Sequence, residues 1–465
     1  MKKIIKNIDF KKSIIYIIII TNFFVILTYL PFYREFQLVK TGRKGYQLVR
    51  FDNIYQPKVK ILLAAAFILL ILFIFYIIKK QNSLKDDIFN YLIFSLFILI
   101  SLSTYFALDR FLAVNGRPYR WEGYLVLGTY LLFSFLTANL VNKIKYFKIY
   151  FKLIWFGAAA VSIYGLIQYF GLDFIKRDPL RENWIRAFST FGNPNFAASF
   201  AALVLPPVVL FYLVSKNKKQ QTAAYYSSGL FFAFLLATGT RGAWLAVFIT
   251  FFAAFLLLFK FIIKRKRKII KLIVLFMAVI ILLSTANSGL LGLRLFSIFG
   301  DFSKLSSEDE GEFASIGSNR MFIYQHTIPL MFERPLLGVG PENFAEVFPQ
   351  HKYREYTGHE NQIVDKAHSE YLHMGVTLGI PALIIYLLML FYIFYKLFPA
   401  NFPEKVDLNN IESYHLFIKS ALFFSILSYT LQACLNISVV SAAPVFWTVI
   451  GFAAAYIKNI EEVSF

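Results

Sequence analysis

Apolar residues recur along this chain in runs near 20 residues, separated by short polar stretches that hold most of the charge. A helix needs about 20 apolar residues to cross the hydrocarbon core of a bilayer. Only helices or closed barrels satisfy their backbone there, and these runs are too long and too evenly apolar for barrel strands. The pattern predicts an all-α integral membrane protein with about twelve transmembrane helices. They fall near 13–32, 59–78, 88–107, 122–141, 150–171, 192–214, 227–241, 243–263, 270–289, 371–398, 415–434 and 437–457. The chain, 1–465, reads as a single polytopic membrane domain with no soluble domain at either end and no repeat of solenoid period. The segment after Lys11 and Lys12 is apolar for too long and lacks a small-residue cleavage site, so it reads as a first membrane helix, not a removable signal.

Orientation follows from the basic residues. With the N-terminus and its Lys2, Lys3, Lys6, Lys11 and Lys12 in the cytoplasm, alternate loops also fall inside. Those loops carry Lys79, Lys80 and Lys85, then Lys143, Lys145 and Lys148, then Lys216, Lys218 and Lys219, then the run Lys264 to Lys268. This is the positive-inside pattern, and it puts both termini in the cytoplasm. It also accounts for much of the net charge of +21, which argues against a nucleic-acid partner. The 58% hydrophobic and 19% aromatic content suits a lipid-facing surface with an interfacial aromatic belt. One cysteine, Cys434, precludes an internal disulfide and a cysteine-based metal site.

Four longer stretches lie on the opposite face, near 33–58, 108–121, 172–191 and 290–370. The last reads as a large extracytoplasmic loop between helices 9 and 10 that carries part of the active site. It holds His326, His351, His359 and His368. Three features stand at external helix ends. Arg186 begins a stretch ending in Asn193-Pro194-Asn195, where Pro194 suits a first helical turn and Asn193 can cap it. Arg241, in Thr238-Gly-Thr-Arg-Gly-Ala-Trp244, stands at the membrane boundary between two short apolar runs. An arginine drawn into the membrane marks a functional site by default, although Trp244 would also fit an interfacial snorkelling arginine. The third feature runs from Ser318-Asn-Arg320 through Glu333–Phe344 to Ala367-His368-Ser369-Glu370-Tyr371-Leu372.

A histidine at a helix mouth is kept neutral and can accept a proton from a hydroxyl. His368 and His373 are five residues apart, about 140° around a helix. The zinc motif on a helix needs four, so no metal is expected. No phosphate-binding glycine loop, dinucleotide fingerprint or hydrolase elbow occurs. Arg186, Arg241 and Arg320 with His368 form the candidate site. Buried arginines bind phosphate through charged, bidentate hydrogen bonds. With a histidine to deprotonate an acceptor, they suit displacement of a diphosphate carried on a lipid.

At these residues the chain resembles the O-antigen ligase and polymerase superfamily of bacterial membrane glycosyltransferases, which includes protein O-oligosaccharyltransferases. The resemblance rests on Ser189–Ala197, Thr238–Trp244, Ser318–Arg320, Arg334–Phe344 and Ala367–Leu372, in order over roughly 150–400. It implies a GT-C-type fold with no cofactor, metal or nucleotide sugar. The implied reaction is inverting transfer of an oligo- or polysaccharide from undecaprenyl diphosphate to an acceptor hydroxyl. That acceptor is lipid A core, another glycan, a surface protein or a wall polymer, reached on the extracytoplasmic face of the plasma (inner) membrane. By position, Arg241 and Arg320 match the family's diphosphate-binding arginines and His368 its essential histidine. Arg186, Asn193 and Asn195 match the stretch before the sixth helix. The family usually has Asn after the histidine, where this chain has Ser369. A hydroxyl can cap or donate in its place. A transporter or flippase of the same lipid-linked glycan is the alternative, but it should show charge deep in several helices and paired broken helices in two halves.

Overall fold

The computed structural model describes residues 9–30, 36–40, 46–50, 52–80, 86–173, 175, 186–286, 289–304, 309–358, 360, 362–400 and 402–459. Among these residues the protein is helical apart from one antiparallel hairpin. Its strands β1 (Phe36–Lys40) and β2 (Tyr46–Arg50) pair Phe36 with Arg50 and Leu38 with Leu48. The hairpin lies in the stretch 33–58, which the sequence places outside the spans, and the apolar bundle is helical as expected.

Eight described helices are long and apolar enough to cross a membrane. They are α1 (Phe10–Leu27), α2 (Tyr55–Lys80), α3 (Ile88–Tyr105), α6 (Ile144–Tyr169), α7 (Pro194–Val214), α11 (Lys266–Thr285), α17 (Ile380–Leu397) and α18 (Ile411–Ala433). A short α4 (Arg110–Asn115) precedes α5 (Tyr124–Leu140). With α9 (Arg241–Leu257) and α19 (Ala443–Asn459), α5 is apolar but shorter. α8 (Lys218–Ala237) has the length, but its first turns are polar. Each expected span thus has a helix, while the number meeting both criteria is smaller than twelve. The span expected at 243–263 breaks at Leu258, after which a single turn, α10 (Phe259–Ile263), leads to the basic run.

α7 is the centre of the bundle, packed between α8, α9 and α18. Pro206 and Pro207 interrupt its ladder. Pro207 leaves the carbonyl of Leu203 without its usual donor, and the Ser425 hydroxyl of α18 donates to it at 2.6 Å. α5 and α19 approach closely because Gly451 has no side chain: a Cβ there would meet the Ser134 carbonyl at 2.5 Å. In lipid, small residues are what let helices pack in this way.

The stretch 290–370, expected as a loop, is mostly helical. It contains α12 (Leu290–Lys304), α13 (Glu310–Glu333), α14 (Phe344–Val347) and α15 (Gln350–Thr357). Phe322, Phe344, Phe348 and Tyr353 give it a small apolar core of its own. The span expected at 371–398 is likewise two helices, α16 (Glu370–Leu378) and α17, parted at Gly379. Gly379 has φ 90°, and a Cβ on it would meet the Leu336 carbonyl oxygen at 2.4 Å.

The basic loops gather at one end of the bundle. Lys216 pairs with Asp407 at 2.6 Å, Lys458 with Asp87 at 3.3 Å, and Arg265 donates to the Glu404 carbonyl at 2.8 Å. Helical alternation puts the start of α7, the end of α8, the start of α9 and the cap helices α12–α16 at the other end.

Candidate functional site

The site is built on the turn between α8 and α9. Thr238, Gly239 and Thr240 reverse the chain in three residues, with Gly239 at φ 60°. Arg186 reaches this turn from the segment before α7. Its Nε donates to the Thr238 carbonyl at 2.7 Å, and one Nη donates to both the Thr240 hydroxyl and the Asn195 side-chain oxygen at 3.0 Å. Asn195 is itself held, since Asn436 donates to its carbonyl at 3.0 Å. Burial, then the nearby charges of Arg294, Arg320 and Arg241, push the Arg186 guanidinium down to about 9, still charged at neutral pH.

Arg241 is the first residue of α9. It pairs with Asp301 of α12 at 2.7 Å, and it donates to the Ser297 hydroxyl at 3.0 Å and the Ser318 hydroxyl at 3.2 Å. Ser318 lies in a break inside α13, where Gly317, Ser318 and Asn319 are all left-handed (φ 67°, 61° and 67°). Serine rarely adopts this conformation, and three such residues in a row are unusual even with asparagine among them. The break aims Arg320 back toward the other arginines. Among the described residues Arg320 makes no ion pair or hydrogen bond, and burial lowers its pKa. Arg294, on α12, donates to the Gly239 carbonyl at 3.3 Å, and its Nε is buried with no partner among the described residues.

His368 stands just before α16, whose cap is Ser369. Its φ is 53°, a strained value for a side chain of this size. The Tyr324 hydroxyl fixes that backbone by donating to the His368 carbonyl at 2.9 Å. Burial, with the charges of Arg320 and Arg120 against the opposing Asp365, lowers the imidazole to about 4. Arg120 in turn grips Asp365 with two bonds, 2.8 and 3.1 Å. Burial would raise the Asp365 carboxyl, but the Arg120 charge and hydrogen bond hold it well below the usual range. The neighbouring Lys366 is buried between Glu342 at 2.8 Å and Glu122 at 3.8 Å.

The described non-glycine residues with positive φ are Tyr119, Trp121, Ser189, Ser318, Asn319, Glu342 and His368. All lie in or beside the segments just named. Strain concentrated in this way makes these segments a candidate functional site, because the surrounding fold must hold it.

Residues 226–387 match the family model described as O-Antigen ligase. Over this stretch the chain is similar to the O-antigen ligase family. The match covers roughly a third of the chain, including Arg241, Arg294, Arg320 and His368, while Arg186, Asn193 and Asn195 precede it. None of the curated proteins compared with the chain matches it. With the eight long apolar helices, the match makes this a multi-pass membrane protein.

Within and around the O-antigen ligase region, the structure sorts the residues named from sequence. Arg186, Arg241 and Arg320 converge, and Asn195 orients the first of them. Asn193 does not face the cluster through its amide oxygen: that atom caps α7, accepting from the Asn195 N–H at 2.8 Å. His326 is spent on its own helix, bonding the Phe322 carbonyl, and the His373 ring packs on Phe344. His359 lies outside the described residues. The segment Arg334–Phe344 is mainly architectural. Gly338 presses on the end of α16, where a Cβ would meet Thr377 at 2.5 Å, and Asn343 locks onto the Asp109 backbone. Sequence reasoning misses Arg294, Asp301, Tyr324, Arg120 and Lys366. Only an ordered helix over 290–304 brings the first two to the turn, and a polar loop reading gives no such register.

Proposed function

We propose that the protein transfers an oligo- or polysaccharide from undecaprenyl diphosphate to an acceptor hydroxyl. The transfer takes place on the extracytoplasmic face of the bacterial plasma membrane, with both chain termini in the cytoplasm. The observation that carries this reading is a group of converging arginines with one carboxylate, Asp301, among them in the described residues, next to a histidine held neutral. Such a charge imbalance away from bulk water calls for an anion with more than one charge. The O-antigen ligase match supports glycosyl transfer in the cell envelope.

In the displacement, the acceptor oxygen bonds to the anomeric carbon of the donor. The bond from that carbon to the diphosphate oxygen breaks, and the diphosphate leaves with the electron pair. Arg186, Arg241 and Arg320 stabilise the charge that develops on it. The acceptor proton passes to a ring nitrogen of His368. A single displacement inverts the anomeric centre. The arginines supply the electrostatic work that a metal does elsewhere, so the transfer needs no metal or cofactor. The acceptor is a hydroxyl of lipid A core, a glycan, a surface protein or a wall polymer.

Arg320 is one of the charges that depress His368. A bound diphosphate offsets that charge, so the imidazole becomes a better base only once the donor is seated.

The test is product analysis in liposomes with a short glycan on undecaprenyl diphosphate. Wild type should release free undecaprenyl diphosphate in the presence of a chelator. His368→Ala and Arg241→Ala should each lose at least about 100-fold, the scale of one general base or one charge stabiliser. Intact lipid-linked glycan crossing the bilayer, with no diphosphate released, would identify a flippase instead.

A further inference from the structure

The arginines divide into two pairs. Arg241 and Arg320 stand at Asp301 and Ser318. Arg186 and Arg294 both stand against Gly239: a Cβ there would lie 3.2 Å from the Arg186 Nε and 3.2 Å from the Arg294 Cδ. Arg294 reaches this place because α12 turns one face toward the α8–α9 turn. Arg294, Ser297 and Asp301 are three and then four residues apart, which keeps them on that face. Ser297 and Asp301 both bind Arg241. Phe296, on the far side of the helix, is 75% exposed.

Holding up a turn does not account for Arg294. Among the described residues its one bond, to Gly239 at 3.3 Å, is long. Its Nε is buried and has no partner among those residues, and it lies beside a second guanidinium. Burial and the charge of Arg241 both oppose its ionised form.

We propose that Arg294 is a donor-binding residue. With Arg186 it takes one phosphate group of the lipid diphosphate, while Arg241 and Arg320 take the other. The assignment rests on the diphosphate-donor reading above and adds how the site tells a diphosphate from a monophosphate. Two pairs match two phosphate groups, and a lipid monophosphate leaves one pair unfilled.

The experiment measures binding of undecaprenyl diphosphate and of undecaprenyl monophosphate to the full-length protein in nanodiscs. Wild type, Arg294→Gln and Arg294→Lys are compared, with Lys352→Gln on the exposed face of α15 as control. Wild type should prefer the diphosphate. Arg294→Gln should weaken diphosphate binding at least about 10-fold, the scale of a lost charged hydrogen bond, and monophosphate binding less than about threefold. Arg294→Lys should recover part of the loss, because the charge returns without the fork. It also serves as the test if the glutamine variant does not fold. Diphosphate binding unchanged in a folded glutamine variant, or a lysine variant binding no better than a weakened glutamine variant, overturns the assignment. Wild type that binds neither lipid overturns the donor reading, and the assignment with it.

Discussion

His368 joins a strained backbone to a depressed imidazole. The Tyr324 hydroxyl and the Ser369 cap hold the backbone, and burial with cationic neighbours depresses the ring. A base that starts at about 4 loses function only when the pH falls through that value and the ring is protonated. In kcat/KM, which reports the free enzyme, the acid limb is expected near 4. In kcat, which reports the loaded enzyme, it is expected at higher pH, because the diphosphate compensates Arg320. Superimposable limbs would show that donor charge does not reach the ring. The arginines named from sequence were legible because a guanidinium at a membrane boundary has few structural explanations. Asn193 and Asn195 were not separable in that way. Both stand beside Pro194, and only the folded turn shows that one caps while the other orients Arg186.

That difference predicts opposite phenotypes at the level of the element. Asn193→Ala removes the α7 cap and should cost about 1 kcal/mol, seen as a lower melting temperature with donor binding largely kept. Asn195→Ala leaves the cap in place but frees Arg186 and Thr240. It should cut transfer about tenfold or more with little change in melting. Matching thermal and kinetic losses in the two variants would remove the distinction. The long apolar helices were readable from hydrophobic runs alone, since lipid demands their length. The cap over 290–370 was not. Its helices bury only a thin apolar core; the left-handed break at Gly317–Asn319 is met by distant side chains, Asp301 and Arg241, and the stop at Gly379 by the distant backbone of Leu336.

Across the whole molecule, charge is sorted by end. Lysines dominate one end, and the arginine cluster with its partners occupies the other. Cys434 ends α18 on the arginine side and is exposed, with the Tyr324 hydroxyl on its carbonyl at 3.2 Å. It is a built-in reporter of orientation. A membrane-impermeant maleimide should label it in intact spheroplasts. In a Cys434→Ser background, Asn217→Cys in the basic α7–α8 loop should be labelled only after lysis. The reverse pattern would invert the proposed topology.

α11 is the least enclosed of the long apolar helices. Only 11% of its span is buried inside the protein, and it is held along one strip, where Phe276 stacks on Phe232 and Leu275 fills the space at Gly229. Lipid is therefore most of what sets its angle. Its 20 residues reach about 30 Å, the thickness of an ordinary hydrocarbon core. A thinner bilayer tilts such a helix and a thicker one draws it upright. The next helix along the chain, α12, carries Arg294 and Asp301, so a change of tilt moves two groups of the site together. Reconstitution in phosphatidylcholines of increasing acyl length should give a transfer rate that peaks at intermediate thickness. A flat response would mean that the connection between α11 and α12 absorbs the tilt before it reaches the arginines.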